Sequence, residues 1–193
     1  MARQSIYAVL LFTLAATAVV HNVGVGQDIA PERLAEIRTR VNKEYESLDA
    51  LYKHFHAHPE LSLEEKETAA RLARELRASG FDVTEDVGGH GVVAVLANGD
   101  GPTIMVRADM DALPIIEATG LPFASKVRAR DKYGRLVGVM HACGHDLNMT
   151  CLVGTARVLS SMKDKWGGTL VLNGQPAEEI GAGSRMIKGE GQL

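Results

Sequence analysis

Thr103-Ile104-Met105-Val106 runs directly into Arg107-Ala108-Asp109-Met110-Asp111. The first four residues are apolar or β-branched, the composition of a strand. The next five set two acids two residues apart, which extended backbone would point to one face. The same order recurs downstream. Gly168-Thr169-Leu170-Val171-Leu172 reads as a strand, and Gln175-Pro176-Ala177-Glu178-Glu179 follows its end. Two more strands are predicted upstream, at Phe81–Thr84 and Val92–Leu96, the second closed by the turn signal Asn98-Gly99-Asp100-Gly101-Pro102.

Helical periodicity fills the intervals. Pro31 suits the first turn of a helix, where its missing N–H is harmless. Leu34, Ile37, Val41, Tyr45, Leu48, Leu51, Tyr52 and Phe55 then recur at mostly three- and four-residue spacing. They predict an amphipathic helix of about 25 residues ending at His58-Pro59. A second helix is expected from Ser62, with Ser62-Leu63-Glu64-Glu65 as a capping box, to Gly80, burying Ala69, Leu72, Ala73 and Leu76. A third is expected from Leu147 to Met162, with Leu152, Val153, Ala156 and Leu159 inward. Residues 112–140, broken by Gly and Pro, read mostly as loop, and Trp166 as core. Strands alternating with helices predict an α/β sandwich with a mixed or parallel sheet. In such sheets, sites form where loops leave the carboxyl ends of strands.

The chain has 193 residues, 46% hydrophobic and 23% charged, with a formal net charge of −3. This is ordinary globular composition, with no basic stripe of the kind that binds nucleic acid. The N-terminus differs from the rest. Arg3 precedes the apolar run Ile6–Val20, and Gly24-Val25-Gly26 offers a small-residue exit. That is the pattern of a secretory signal, and the run is shorter than the ~20 residues a membrane span needs. Residues 1–26 are therefore expected to be removed, leaving 27–193 as an exported, periplasmic or extracellular protein with no membrane partner.

His141-Ala142-Cys143-Gly144-His145-Asp146 packs a thiol, two imidazoles and a carboxylate into six residues, a donor set suited to zinc and similar ions. Gly144 would let Cys143 and His145 turn to one centre, and Asp146 would cap the next helix or orient a ligand imidazole. Alternatives are a Cys143–Cys151 disulfide and a cysteine nucleophile with a histidine base. Of Glu178 and Glu179, one could ligate a metal while the other acts as general base. Asp109 and Asp111 suit a metal's outer shell or a pairing with Arg107. His54, His56 and His58 read as helix-end histidines helped by the dipole.

Taken in order, four segments resemble one family: His58-Pro59-Glu60-Leu61-Ser62, Arg107–Pro114, Met140–Asp146 and Gln175–Glu179. The chain is similar to the metal-dependent amidohydrolases that cleave N-acyl amino acids, such as hippurate hydrolase and the indole-acetyl-amino-acid hydrolases. These are relatives of aminoacylase and the carboxypeptidase-G-type metallopeptidases. The resemblance implies a zinc-peptidase-like three-layer α/β sandwich with a mixed, mostly parallel sheet. It implies two divalent ions (zinc, manganese, cobalt or nickel) with Cys143, His145 and Glu179 as ligands. Glu178 would be the general acid/base, and Asp111, Asp109 and Asp146 would stand behind the ligands. The implied substrate is a small N-acyl amino acid or peptide.

Two departures are visible. The family usually carries a histidine where this chain has Asn148. Its further histidine ligands and its lid or dimerisation domain would lie beyond Leu193, so the 193 residues alone are expected to be inactive. A non-catalytic binding module of the same fold is the alternative. The leader expectation has a direct check. Expressed with its own N-terminus in a secreting host, the mature protein should begin at Gln27, and retention of Met1 would contradict cleavage.

Overall fold

A computed structural model describes residues 29–189, so the expected leader lies outside the described residues. In chain order the elements are α1 (Pro31–Ala57), α2 (Lys66–Ala78), β1 (Asp82–Val87), β2 (Gly91–Asn98), β3 (Thr103–Asp109), β4 (Arg128–Arg130), β5 (Leu136–Gly138), α3 (His145–Ser160), β6 (Gly168–Gln175) and α4 (Gly183–Gly189). The four strand predictions and three helix predictions all correspond to elements, with shifted ends. No helix among the described residues is long and apolar enough to cross a membrane.

The main sheet has the order β1-β2-β6-β3. It is mixed, as expected, but not mostly parallel among the described strands: β1–β2 and β2–β6 are antiparallel, and β3–β6 alone is parallel. Apolar runs report that a strand is buried and say little about its direction, so pairing sense was beyond the sequence. The parallel pair matters most. Its register, Thr103↔Thr169 through Asp109↔Gln175, carries both strands to their carboxyl ends side by side.

Strand alternation divides the apolar residues between two faces. Val92, Ala94, Leu96, Ala108, Leu170 and Leu172 face α2 and α3 and join the main core, to which α1 adds Leu51 and Phe55. The predicted stripe of α2 is buried there, as are Leu152, Val153 and Ala156 of α3, with Leu159 and Trp166 at its margin. On the other face Val87 and Val93 pack with Ile187 of α4, which the sequence did not predict. A seven-residue helix is too short for periodicity to register.

Two expectations are corrected. α2 begins at Lys66, and Ser62 caps nothing. The carboxylate of Glu60 instead accepts the backbone N–H groups of Glu67, at 3.2 Å, and Thr68, at 2.7 Å. A carboxylate from before the turn thus neutralises the helix N-terminus. Within the region read as loop, β4 and β5 form a small antiparallel hairpin, its turn held by the Asp131 carboxylate on the amides of Tyr133 and Arg135. Three-residue strands leave no legible alternation.

Leu172 has no exposed surface and sits at the centre of the core beneath the parallel pair. Leu172→Ala is expected to lower unfolding stability by about 2–5 kcal/mol, read as a fall in the urea midpoint at unchanged slope.

Candidate metal centre

Three segments meet at the carboxyl ends of β3 and β6. β3 delivers Asp109 and, two residues on, Asp111. β6 delivers Gln175 and the turn that carries Glu178 and Glu179. The third segment is the loop before α3. Gly144 there has φ +79, a left-handed conformation that glycine adopts without a Cβ clash, and His145 is the first residue of the helix.

His145 is the hub. Its Nδ1 donates to the Asp111 carbonyl at 2.8 Å, which leaves Nε2 to face the glutamates. Glu178 Oε2 lies 3.9 Å and Glu179 Oε1 4.0 Å from that nitrogen. Donor atoms of Asp109, His145 and Glu178 all fall within 4.8 Å of one another. Asp109, expected in an outer shell, thus stands among the nearest donors, although it also pairs with Arg107 at 3.3 Å. The Cys143 thiol donates to Glu179, and that carboxylate pushes it up to about 11. Cys143 and Cys151 are both free thiols, so the disulfide alternative is overturned.

Asp111 lies between His145, Ser62 and the glutamate turn. Its Oδ2 accepts from Ser62 Oγ at 2.6 Å and from the Glu179 backbone N–H at 3.0 Å. Its Oδ1 lies 3.6 Å from His145 Nδ1, and the Asp111 carboxylate raises His145 to about 9 against the opposing effect of burial.

The residues fit a divalent cation. Asp109 Oδ1, Asp111 Oδ1 and Glu179 Oε1 are buried without a hydrogen-bond partner. Asp109 Oδ1 has Arg107 Nε at 3.3 Å and Asp111 Oδ1 has His145 Nδ1 at 3.6 Å, while the closest grouping of donor atoms is that of Asp109, His145 and Glu178. Thiol, imidazole and carboxylate together form the mixed donor set that transition ions accept. Side-chain exposure separates the two glutamates. Glu179, 15% exposed with an orphaned oxygen, suits ligation, whereas Glu178, 40% exposed, can exchange protons with solvent.

Asp146 corrects the sequence reading. It does not orient His145. Its Oδ2 lies 2.6 Å from Nδ1 of His56, whose Nε2 lies 3.0 Å from Glu117 Oε1. All three side chains are buried. His56 is therefore no bland helix-end histidine like its neighbours His54 and His58, whose rings lie tilted with centroids 4.6 Å apart. Its partners lie 61 and 90 residues away, so no local pattern could have singled it out. His141 is also buried, with both ring nitrogens unpartnered, and burial pushes it down to about 4. Asn148 is exposed on the first turn of α3.

Residues 105–192 match the family model described as Peptidase family M20/M25/M40. An N-acetyl-L-cysteine deacetylase of Bacillus subtilis is 43% identical over 147 residues, which is 76% of this chain and 33% of that protein. A hippurate hydrolase of Campylobacter jejuni is 43% identical over 135 residues, 69% of this chain and 32% of its own length. Among solved structures, a Bacillus subtilis protein described as a dinuclear metal binding peptidase from the M20 family superimposes with a TM-score of 0.68 at 39% identity. That match covers 81% of this chain and 40% of the other. The chain spans about a third of the length of the curated relatives it matches.

Burial alone would lower His56, but its hydrogen bonds to Glu117 and Asp146 prevail and raise it. A raised folded value stabilises fully below the unfolded value, ~6.5, and the benefit is lost as pH rises through the folded value. The gap in unfolding midpoint between wild type and His56→Asn should be widest below about pH 6.5 and shrink as pH climbs. A gap that stays flat or widens with pH would contradict a charged His56.

Proposed function

We propose that this chain, which belongs to the M20/M25/M40 peptidase family, serves the metal-dependent hydrolysis of an amide bond in N-acyl amino acids or small peptides. The observation that carries this is the approach of Asp109, His145 and Glu178 donor atoms to within 4.8 Å of one another, with Glu179 4.0 Å from His145 Nε2 and the Cys143 thiol on Glu179. The relatives' names support the substrate class, since hippurate and N-acetyl-cysteine are both N-acyl amino acids. The description of the related peptidase as dinuclear supports two divalent ions. Zinc, manganese, cobalt and nickel all suit these donors.

Cys143, His145 and Glu179 would hold the metal, with Asp109 beside them. When bound, the ions polarise the amide carbonyl and make water acidic enough to be deprotonated near neutrality. Glu178 takes the proton from the attacking water and returns it to the leaving amine, a role open to the more exposed glutamate. His145 keeps Nε2 directed inward because the Asp111 carbonyl engages Nδ1. The Cys143 thiol gives up its proton on ligation, so binding weakens as the solution is acidified. The reading also includes export after loss of residues 1–26, a homodimer, and no nucleic-acid partner.

Turnover of hippurate and N-acetyl amino acids by a full-length form that adds the histidine ligands implied by the resemblance tests this, while the 193 residues alone are expected to stay inactive. A chelator should abolish it, and zinc, manganese or cobalt should restore it. Glu178→Gln should lower kcat by about 10²–10⁴ while the metal content, measured by elemental mass spectrometry, is retained. Turnover that survives the chelator but not thiol alkylation would replace the metal reading with a cysteine-dependent one.

A further inference from the structure

Glu65 is a fully buried carboxylate that the chemistry above does not use. It stands at the end of the linker between α1 and α2, far in sequence from the metal donors. Its Oε1 accepts the backbone N–H of Ala177 at 2.7 Å, across 112 residues, and its Oε2 has no hydrogen-bond partner. No cation pairs with it among the described salt bridges. A leucine would pack in such a place without the desolvation penalty of a buried acid. A residue kept at that penalty has work to do through the group it touches.

Ala177 is an unusual group to hold. It is a buried alanine at φ +51, in the left-handed region that residues with a Cβ rarely adopt. Its carbonyl accepts the amides of Ala182 and Gly183 at 3.1 and 3.2 Å, which closes the chain into a tight turn. Glu178 and Glu179 ride on that turn. On its far side the Glu179 amide donates to Asp111 Oδ2 at 3.0 Å. Two buried carboxylates therefore hold the backbone on either side of Glu178.

Both anchors depend on one segment. Ser62 fixes Asp111 through a 2.6 Å hydrogen bond, and Glu65 fixes Ala177. The segment is itself tied down, since the Glu60 carbonyl accepts the Ala112 amide at 2.8 Å and Leu61 bridges to Ala112. We propose that Glu65 is a positioning residue for the glutamate pair: its carboxylate holds the left-handed turn at Ala177 and so presents Glu178 and Glu179 to Nε2 of His145. This rests on the hydrolase reading only for its catalytic consequence. The held turn at Ala177 is independent of that reading.

The test compares Glu65→Gln, which keeps a carbonyl acceptor, with Glu65→Leu, which removes it. Glu65→Asp, which withdraws the acceptor by one methylene, serves if the leucine variant does not fold. Amide hydrogen exchange is read first, on metal-free protein. Glu65→Leu or Glu65→Asp should speed exchange at Ala177 and Glu179 by at least about tenfold, leaving Leu170 and Leu172 of β6 unchanged. Glu65→Gln should match wild type. Zinc affinity, by titration calorimetry, should fall about 10–100-fold in the leucine or aspartate variant and recover in the glutamine variant. In turnover the loss should lie in kcat, with KM unchanged.

Unchanged exchange at Ala177 overturns the proposal. So does equal acceleration across β6, which would make Glu65 a general stabiliser, and so does a glutamine variant that behaves like leucine. If wild type binds no zinc, the hydrolase reading fails, and the exchange measurement alone still decides whether Glu65 holds the turn.

Discussion

The parallel pairing of β3 with β6 is the constraint on which the site depends. Its seven-residue register ends at Asp109 opposite Gln175, so two acidic loops separated by more than 60 residues leave the sheet at the same edge. Were the pair antiparallel, Asp109 and Asp111 would emerge at one end of the sheet and Glu178 and Glu179 at the other. The parallel sense requires a long crossover, and this one includes α3 with its preceding cysteine–histidine loop. The connection that makes the pairing possible thus carries the third set of donors. Core packing around Leu172 and Leu170 beneath that pair holds the register against slippage.

Around this edge, oriented backbone does as much as side chains. A carbonyl of residue 111 selects which His145 nitrogen faces inward, and carboxylates of Asp111 and Glu65 grip amides of the glutamate turn. Such contacts keep donors in place before any ion arrives, which limits the ordering that binding would otherwise require. Several acids are left facing one another in a confined volume, with partnerless oxygens among them. That crowding carries an electrostatic cost, partly met by Arg107, 3.3 Å from Asp109. A divalent cation relieves it directly.

The His56–Asp146–Glu117 group performs a related task one step further out. It ties the end of α1 to the first turn of α3 and to the loop that follows β3. Asp146 adjoins His145 in sequence, so the same helical turn presents one residue to the candidate metal centre and the next to the buried His56–Glu117 pair. Successive residues on a helix point about 100° apart, which makes this division of labour natural.

Much of this was legible in the residues. The apolar stripe at Ala69, Leu72, Ala73 and Leu76 and the short runs at 92–96 and 168–172 announced buried elements, whereas the run at 103–106 announced a strand whose Ile104 and Met105 are exposed. Cys143 and His145 stood out by chemistry, whereas Glu178 and Glu179, a kind of pair common on solvated surfaces, gained weight only in combination with the cysteine–histidine loop. Other features depended on distance in space. Ser62 looked like a helix cap because the pattern was local, yet its hydroxyl goes to Asp111, and Glu60 does the capping. His56 looked ordinary because both of its partners lie far along the chain, and Asp146 looked like the partner of its neighbour.

The sequence alone determined which segments form helices and strands, where they break, and which donor types are present, but not that Val41, Tyr45, Ile104 and Met105 stay exposed. The tertiary structure alone decided the direction of each strand, the partners of His56, Asp146 and Glu65, and the nitrogen that His145 turns inward. The physical reason is that periodicity and turn chemistry act within a few residues, whereas a hydrogen bond between residues 65 and 177 exists only once the sheet has brought them together.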